Sequence, residues 1–277
     1  MSEKIWFITG ASKGFGKVWT EAALARGDRV AAAARSIGSL DDLAAKYGDK
    51  LLQLSLDVGS KGLVEAAISK AHKQFGRLDV VVNNVGYGLF GAIEEVSEAE
   101  ARAQIETNLF GALWVTQAAL PIMRAQKSGH IIQISSIGGV LTLPMLGLYH
   151  ASKWGLEGFS QALAAEVKPY GIKVTIVEPG GFATDWSGPS AKQAKHLKDY
   201  DEARDSLAKL RMGSRPGDPA ATGPVMLKLV DMEEPPLRLF FGDGDLPMIR
   251  KEYAERLATW EKWNTLAVEA QGNLLAR

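Results

Sequence analysis

Ile5-Trp6-Phe7-Ile8-Thr9-Gly10-Ala11-Ser12-Lys13-Gly14-Phe15-Gly16 is the stretch that decides the fold. Its apolar run is too short for the core of a signal peptide and meets Thr9-Gly10 at once, so it reads as a buried first strand. The glycines then allow a tight turn and a close approach of backbone, and Phe15–Arg26 continues with apolar residues at helical spacing. A turn of this kind points the N–H groups at a helix start toward an anion such as a pyrophosphate. The gap from Gly10 to Gly14 is longer than in G-x-G-x-x-G, yet the strand–loop–helix context is the one a nucleotide site needs.

Outward from this unit, short apolar runs alternate with longer helical patterns. The runs are Ile5–Ile8, Val30–Ala34, Leu51–Leu56, Val80–Val82, Ile131–Ile134, Val174–Val177 and Leu237–Phe241. Several are apolar at nearly every position, as strands covered on both faces are. Between them lie Phe15–Arg26, Leu40–Tyr47, Lys61–Phe75, Ala99–Ala125, Tyr149–Lys168 and Pro219–Val230, with apolar residues at helical spacing. The alternation predicts an α/β, Rossmann-like, doubly wound parallel sheet of seven strands with helices on both faces. The expected organisation is one domain over residues 1–277. It carries a polar insertion at about 185–218, long enough to act as a lid, and a helical extension at about 246–277 with Trp260 and Trp263. Those tryptophans read as packing residues or an oligomer surface.

Composition limits the function. Lys+Arg 32 balances Asp+Glu 32 with no run of like charge, which argues against a nucleic-acid or anionic-membrane surface. The chain has no cysteine, so disulfides, thiolate metal sites and a cysteine nucleophile are excluded. No stretch approaches the ~18 apolar residues of a membrane span, and a cytoplasmic protein is the expectation.

The second strand ends Ala34-Arg35-Ser36. An NAD-preferring site places a carboxylate there for the ribose 2′-hydroxyl. Arg35 and Ser36, with Lys13 in the glycine loop, suit a 2′-phosphate instead, so NADP(H) is the expected cofactor.

Tyr149-His150-Ala151-Ser152-Lys153 sets a phenol and an ammonium four residues apart, on one face of a helix. A free tyrosine titrates near pH ~10, and a neighbouring lysine favours the phenolate, which would fit Tyr149 for proton exchange with a carbonyl–alcohol pair. The pattern fixes only two positions and is weak alone. Ser136 lies upstream, and Asn108 sits in an otherwise apolar helix pattern where its amide must find partners. His150 adjoins Tyr149, but successive helix residues point about 100° apart. With no cysteine and no paired His/carboxylate spacing, no metal site is expected.

From Lys4 to about Phe241 the chain resembles the short-chain dehydrogenase/reductases. The family's glycine motif matches Thr9 to Gly16, with Gly10, Ser12, Lys13, Gly14, Phe15 and Gly16 on the cofactor; its adenine-side aspartate matches Asp57, followed by Val58. Its Asn-Asn-Ala-Gly motif reads Asn83-Asn84-Val85-Gly86, where Val85 replaces the usual alanine and could tighten the floor of the cleft. Its helix asparagine matches Asn108, its serine Ser136, and its Tyr-x-x-x-Lys pair Tyr149 and Lys153; its Pro-Gly and later threonine match Pro179-Gly180 and Thr184, with Phe182 between. The resemblance implies that NADPH delivers a hydride to a carbonyl carbon while Tyr149 protonates the oxygen, Ser136 steadies it, and Lys153 lowers the pKa of Tyr149 and holds the nicotinamide ribose. Asn108 would hold a water in a proton relay through the lysine. The resemblance further implies a homodimer or homotetramer built on the two long helices.

Leu89-Phe90, Val140-Leu141, Leu143 to Leu146, Phe182, Trp186 and Met212 are the candidate substrate-cleft residues. They are nearly all apolar, which suggests a lipophilic ketone, aldehyde or secondary alcohol. Two alternatives stay open: an NAD-linked alcohol dehydrogenase of the same family, and a non-catalytic NADP(H)-binding sensor.

Overall fold

The computed structural model describes residues 3–188, 190–211, 215–242 and 246–272. The chain divides into two compact units, Met1–Phe241 and Gly242–Arg277. In the first unit β1 (Ile5–Thr9) leads through the glycine loop into α1 (Gly14–Arg26), followed by β2 (Arg29–Ala34), α2 (Asp41–Tyr47), β3 (Leu51–Ser55), α3 (Lys61–Phe75) and β4 (Val80–Asn83). After a two-residue strand, β5 (Leu89–Phe90), come α4 (Glu98–Ile105), α5 (Gly111–Gln126), β6 (Gly129–Ile134), α6 (Gly147–Val167) and β7 (Ile172–Pro179). The unit ends with β8 (Lys192–Gln193), α7 (Asp201–Arg211), α8 (Thr222–Asp231) and β9 (Arg238–Phe241). The second unit holds α9 (Leu246–Lys262) and α10 (Asn264–Gln271).

Seven of the strands form one parallel sheet in the order β3-β2-β1-β4-β6-β7-β9. All-parallel pairing requires a crossover between neighbouring strands, and the crossovers cover both faces. Hence β1 reads apolar throughout: Ile5 and Phe7 enter the core beneath α3, α5 and α6, while Trp6 and Ile8 enter the core beneath α1 and α8. Each such side chain, buried fully, contributes about 1.5–3 kcal/mol of transfer free energy. Strand order reverses between β1 and β4, and the crevice at the C-terminal ends there is where this topology takes its ligands.

Three features differ from the expected pattern. The helix read over Ala99–Ala125 is two helices joined by a π-helical turn, Glu106–Phe110, in which buried Asn108 reaches Tyr87 in the loop after β4 and Ser152 on α6. The insertion carries β8 and α7, and β8 pairs in parallel with β5. Trp260 and Trp263 are 64% and 56% exposed, so they are not core residues. Among the described residues no helix is long and apolar enough to cross a membrane.

Candidate active site

The glycine loop closes on itself. Gly10 and Gly14 have φ of 65° and 53°, left-handed conformations that favour glycine. A Cβ on Gly16 would lie 2.2 Å from the Gly10 carbonyl oxygen, so the loop can be this tight only without a side chain there. Asn84, just after β4, braces it: its Nδ2 donates to the carbonyls of Thr9 (3.1 Å) and Gly10 (3.2 Å), and its own N–H donates to Thr9 Oγ1 (2.9 Å). Thr184 comes from the far side, its Cβ 3.9 Å from where a Gly14 Cβ would lie, and caps the turn Asp185–Ser187. Phe15 packs between Trp19 and Phe182, so both phenylalanines help hold the start of α1 against the Pro179-Gly180 end of β7.

Arg35 is exposed beyond the end of β2, next to Ser36. Lys13, expected to join it on a 2′-phosphate, instead reaches the insertion: Nζ hydrogen-bonds Ser190 Oγ and lies 3.8 Å from Asp185 Oδ2. Asp57 closes a turn by accepting from the Gly59 N–H at 3.0 Å, and Val58 is buried against the opening of α5 at Gly111. Val85 lies beside Gly10, 3.3 Å from its would-be Cβ, and is tolerated there because that glycine carries none.

The groups expected to do chemistry converge at the ends of β4 and β6. Tyr149 and Lys153 are both buried on α6, and Ser136, which follows β6, lies near enough to the Tyr149 phenol to favour its ionised form. Ser136 Oγ also accepts from the Gly138 N–H at 3.0 Å, which fixes its rotamer. Lys153 Nζ lies 5.9 Å from the centre of the Tyr149 ring and donates to the Ile134 carbonyl at 2.7 Å. Asn108 Nδ2 donates to Tyr87 O (3.0 Å) and Ser152 Oγ (3.1 Å), and its Oδ1 accepts from the Tyr87 N–H (3.1 Å). The amide therefore locks the loop after β4 to α6 through its own contacts. Gly86 opens a niche over this cluster: a Cβ there would lie 3.3 Å from Lys153 Nζ and 3.5 Å from Asn108 Oδ1.

The electrostatics correct one expectation. Burial pushes the Tyr149 phenol up to about 12, against a lowering by the Ser136 hydrogen bond. Burial also pulls the Lys153 ammonium down to about 8, opposed by the charge of Glu157. Burial thus outweighs whatever favour the Lys153 ammonium gives the phenolate, and Tyr149 lies above its usual range and not below it. His150 is structural: it bridges Gly138 O (2.8 Å) and the Leu143 N–H (2.9 Å), and burial holds its pKa below the usual range. Nε2 must accept from that N–H, so the ring is neutral with its proton on Nδ1.

Around Tyr149 lies a packed apolar cluster. Phe90, Ala92, Met145, Leu146, Tyr149 and Leu207 form one cluster, with Leu143 and Trp186 against it, and the Trp186 ring lies 4.9 Å from that of Tyr149. A chamber of about 220 Å³ opens at the Phe90, Met145 and Leu207 edge of this cluster, with Gln193 and Arg204 as its polar lining. Val140 and Leu141 are core residues near it, Phe182 faces the glycine loop, and Met212 lies outside the described residues. The spacing of apolar residues had not singled out Leu207; α7, whose face it occupies, was legible only as an amphipathic pattern. Glu95, equally unmarked, is buried and holds the insertion: it accepts from the N–H groups of Ala92 and Leu197 (2.7 Å each) and pairs with Arg204. Burial alone would raise this carboxyl, but those donors and the guanidinium hold it below the usual carboxylate range. Among the described residues no group of three or more His, Cys, Asp or Glu could hold a metal.

Residues 4–195 match the family model described as short chain dehydrogenase. Oxidoreductase BOA17 of Botryotinia fuckeliana (strain B05.10) is 42% identical over 269 residues, 96% of this chain and 98% of that one. A short-chain dehydrogenase from Streptomyces avermitilis superposes with a TM-score of 0.90 at 38% identity, covering 97% of this chain and 98% of that one. The NADPH-dependent 3-dehydrocapnine reductase of Ornithobacterium rhinotracheale is 36% identical over 200 residues, 70% of this chain and 71% of that one.

Proposed function

The chain belongs to the short chain dehydrogenase family, and from that premise we propose that it is an NADPH-dependent reductase of a lipophilic ketone or aldehyde. NADPH, when bound, supplies the hydride. The glycine loop and the start of α1 hold its pyrophosphate, Arg35 its 2′-phosphate, and the niche over Gly86 its nicotinamide ribose beside Lys153. Tyr149 gives the phenolic proton to the carbonyl oxygen, and Ser136 donates a hydrogen bond to the same oxygen as charge develops on it. Lys153 holds positive charge behind the phenolate that results.

The observation that carries this reading is the convergence of Tyr149, Lys153 and Ser136 at the ends of β4 and β6, with Phe90, Met145 and Trp186 packed against the Tyr149 side. The phenol, pushed up to about 12 by burial, carries its proton at neutral pH and can give it to a carbonyl oxygen. The chamber's lining favours an apolar substrate, and a relative named for NADPH-dependent reduction supports both the cofactor and the direction. A homodimer or homotetramer built on α5 and α6 accords with the family, and sedimentation would measure it.

Tyr149→Phe tests the acid. It should lower kcat by at least about 10²-fold across a panel of lipophilic ketones and aldehydes and leave NADPH binding by fluorescence nearly unchanged; retained turnover would remove Tyr149 from the chemistry. The ion pair between Lys13 and Asp185 favours a second reading, an NAD-linked alcohol dehydrogenase, since it leaves Arg35 alone on the phosphate side. Affinities for NADPH and NADH compared in parallel separate the two.

A further inference from the structure

Behind the site, away from the chamber, two carboxyl groups are buried with one guanidinium between them. Glu157 lies one turn beyond Lys153 on α6 and is 5% exposed; Glu178, next to the end of β7, is 0% exposed. Arg238 Nε on β9 lies 3.1 Å from Glu157 Oε2 and 3.5 Å from Glu178 Oε1, so the carboxyl groups are neighbours. The guanidinium also donates through Nη2 to Gln161 Oε1 at 2.9 Å. Ser135 Oγ and Glu157 Oε1 border the space left by the missing side chain of Gly139, whose Cβ would come within 2.4 Å and 3.2 Å of them. The charged or titratable groups facing the pair are therefore Lys153 along α6 and Arg238 from β9, with Ser135 and Gln161 as the neutral polar ones.

The hydrogen-bond pattern does not close. Among the described residues neither oxygen of Glu178 has a hydrogen-bond donor, its only cation being Arg238 at 3.5 Å, and Glu157 Oε1 has only the Ser135 hydroxyl beside it. Two ionised carboxylates cannot satisfy each other, since each only accepts. Fully desolvated, a second unpaired charge is also the costly form.

We propose that Glu157 and Glu178 hold one proton between them, and that the charge remaining on Glu157 keeps the buried ammonium of Lys153 protonated. A proton on Glu178 turns one acceptor into a donor and lets the two side chains bond directly. It leaves Glu157 as the carboxylate that takes the Arg238 hydrogen bond and faces along α6 toward Lys153. The direction of titration agrees: burial and the charge of Glu157 push Glu178 up to about 8, and Glu157 opposes the fall of Lys153. Glu157 is thus a positioning residue, acting on the reaction through the lysine. This role rests on the proposed function of Lys153; the shared proton does not.

Two measurements test the parts separately. Infrared spectra of the resting protein at neutral pH should show a protonated carboxylic acid band that shifts in deuterium oxide and is missing in Glu178→Gln; a wild-type spectrum without it, or a mutant that keeps it, overturns the shared proton. For the electrostatic role, Glu157→Gln should move the alkaline limb of the kcat/KM profile for carbonyl reduction down by about one pH unit, a tenfold change in proton affinity. Glu178→Gln, which keeps the Glu157 charge, should leave that limb in place. Simple loosening of the core would lower kcat in both variants without moving either limb, and that result overturns the role. Should Glu157→Gln fail to fold, Glu157→Asp, which draws the charge back from Lys153, must move the limb the same way by less; an unmoved limb overturns the role equally. If the panel gives no turnover at all, the proposed function falls while the infrared comparison still decides the proton.

Discussion

At the scale of single residues, the cofactor question turns on Lys13 and Arg35. The Lys13–Asp185 pair has both side chains 57% exposed, and ion pairs of that kind are worth about 0–1 kcal/mol. A charge-assisted hydrogen bond to a phosphate is worth about 1.5–3 kcal/mol, so a 2′-phosphate outcompetes Asp185 for the lysine. Asp185→Asn should accordingly tighten NADPH binding slightly and leave NADH binding alone. Arg35→Asp removes the other cation and adds a repelling charge. It should shift the ratio of NADPH to NADH affinity toward NADH by roughly ten- to a hundredfold, read by titrating each cofactor; an unchanged ratio would refute the phosphate assignment. The short-range part of the site was legible because its geometry is local. Four residues on a helix put Tyr149 and Lys153 on one face whatever the rest does. What the spacing could not show was how burial would move their proton affinities, since that depends on which strands and loops close over them.

At the scale of elements, the seven sheet strands were legible because burial on both faces leaves unbroken apolar runs, and their positions agree with the sheet. The π-helical turn at Glu106–Phe110 was not, because one added residue barely disturbs an apolar helical pattern. Only Asn108, a polar residue inside that pattern, hinted at it. β5 and β8 are two residues each, too short to leave a period. The anchoring of the insertion was equally hidden, since Glu95 and Arg204 are distant in sequence and meet only in the fold. That anchor joins α7 to the turn after β5 and so shapes the chamber at Leu207 and Arg204. Glu95→Gln keeps the shape but weakens the hold on Arg204 and on the Leu197 N–H. It should raise KM for a lipophilic carbonyl several-fold with kcat nearly kept, while cofactor affinity stays put; equal losses in kcat and cofactor binding would show that Glu95 supports the whole site and not the insertion alone.

At the scale of the whole molecule, buried titratable groups set how stability varies with pH, and two of them pull in opposite directions. His130 on β6 is almost wholly buried beside Lys173, its Nε2 2.9 Å from Thr175 Oγ1, and burial pulls its pKa down to about 3. Between about pH 3 and 6.5 the unfolded chain binds a proton that the folded chain refuses, so this residue makes stability fall as pH drops through that window. Glu178 does the reverse. Its folded pKa of about 8 lies above the usual carboxylate value of 4.5, so the folded chain keeps a proton that the unfolded chain releases, and stability falls as pH rises from 4.5 to 8. Thermal unfolding followed across this range should give a dome whose acid side is flattened by His130→Asn and whose alkaline side is flattened by Glu178→Gln. The sites are on different strands and share no hydrogen-bond or ion-pair partner among the described residues, so the two flattenings should add in the double variant. A dome unchanged by Glu178→Gln would mean that this carboxyl is ionised in the folded chain at neutral pH, and a buried negative charge would then have to be balanced by Arg238 alone.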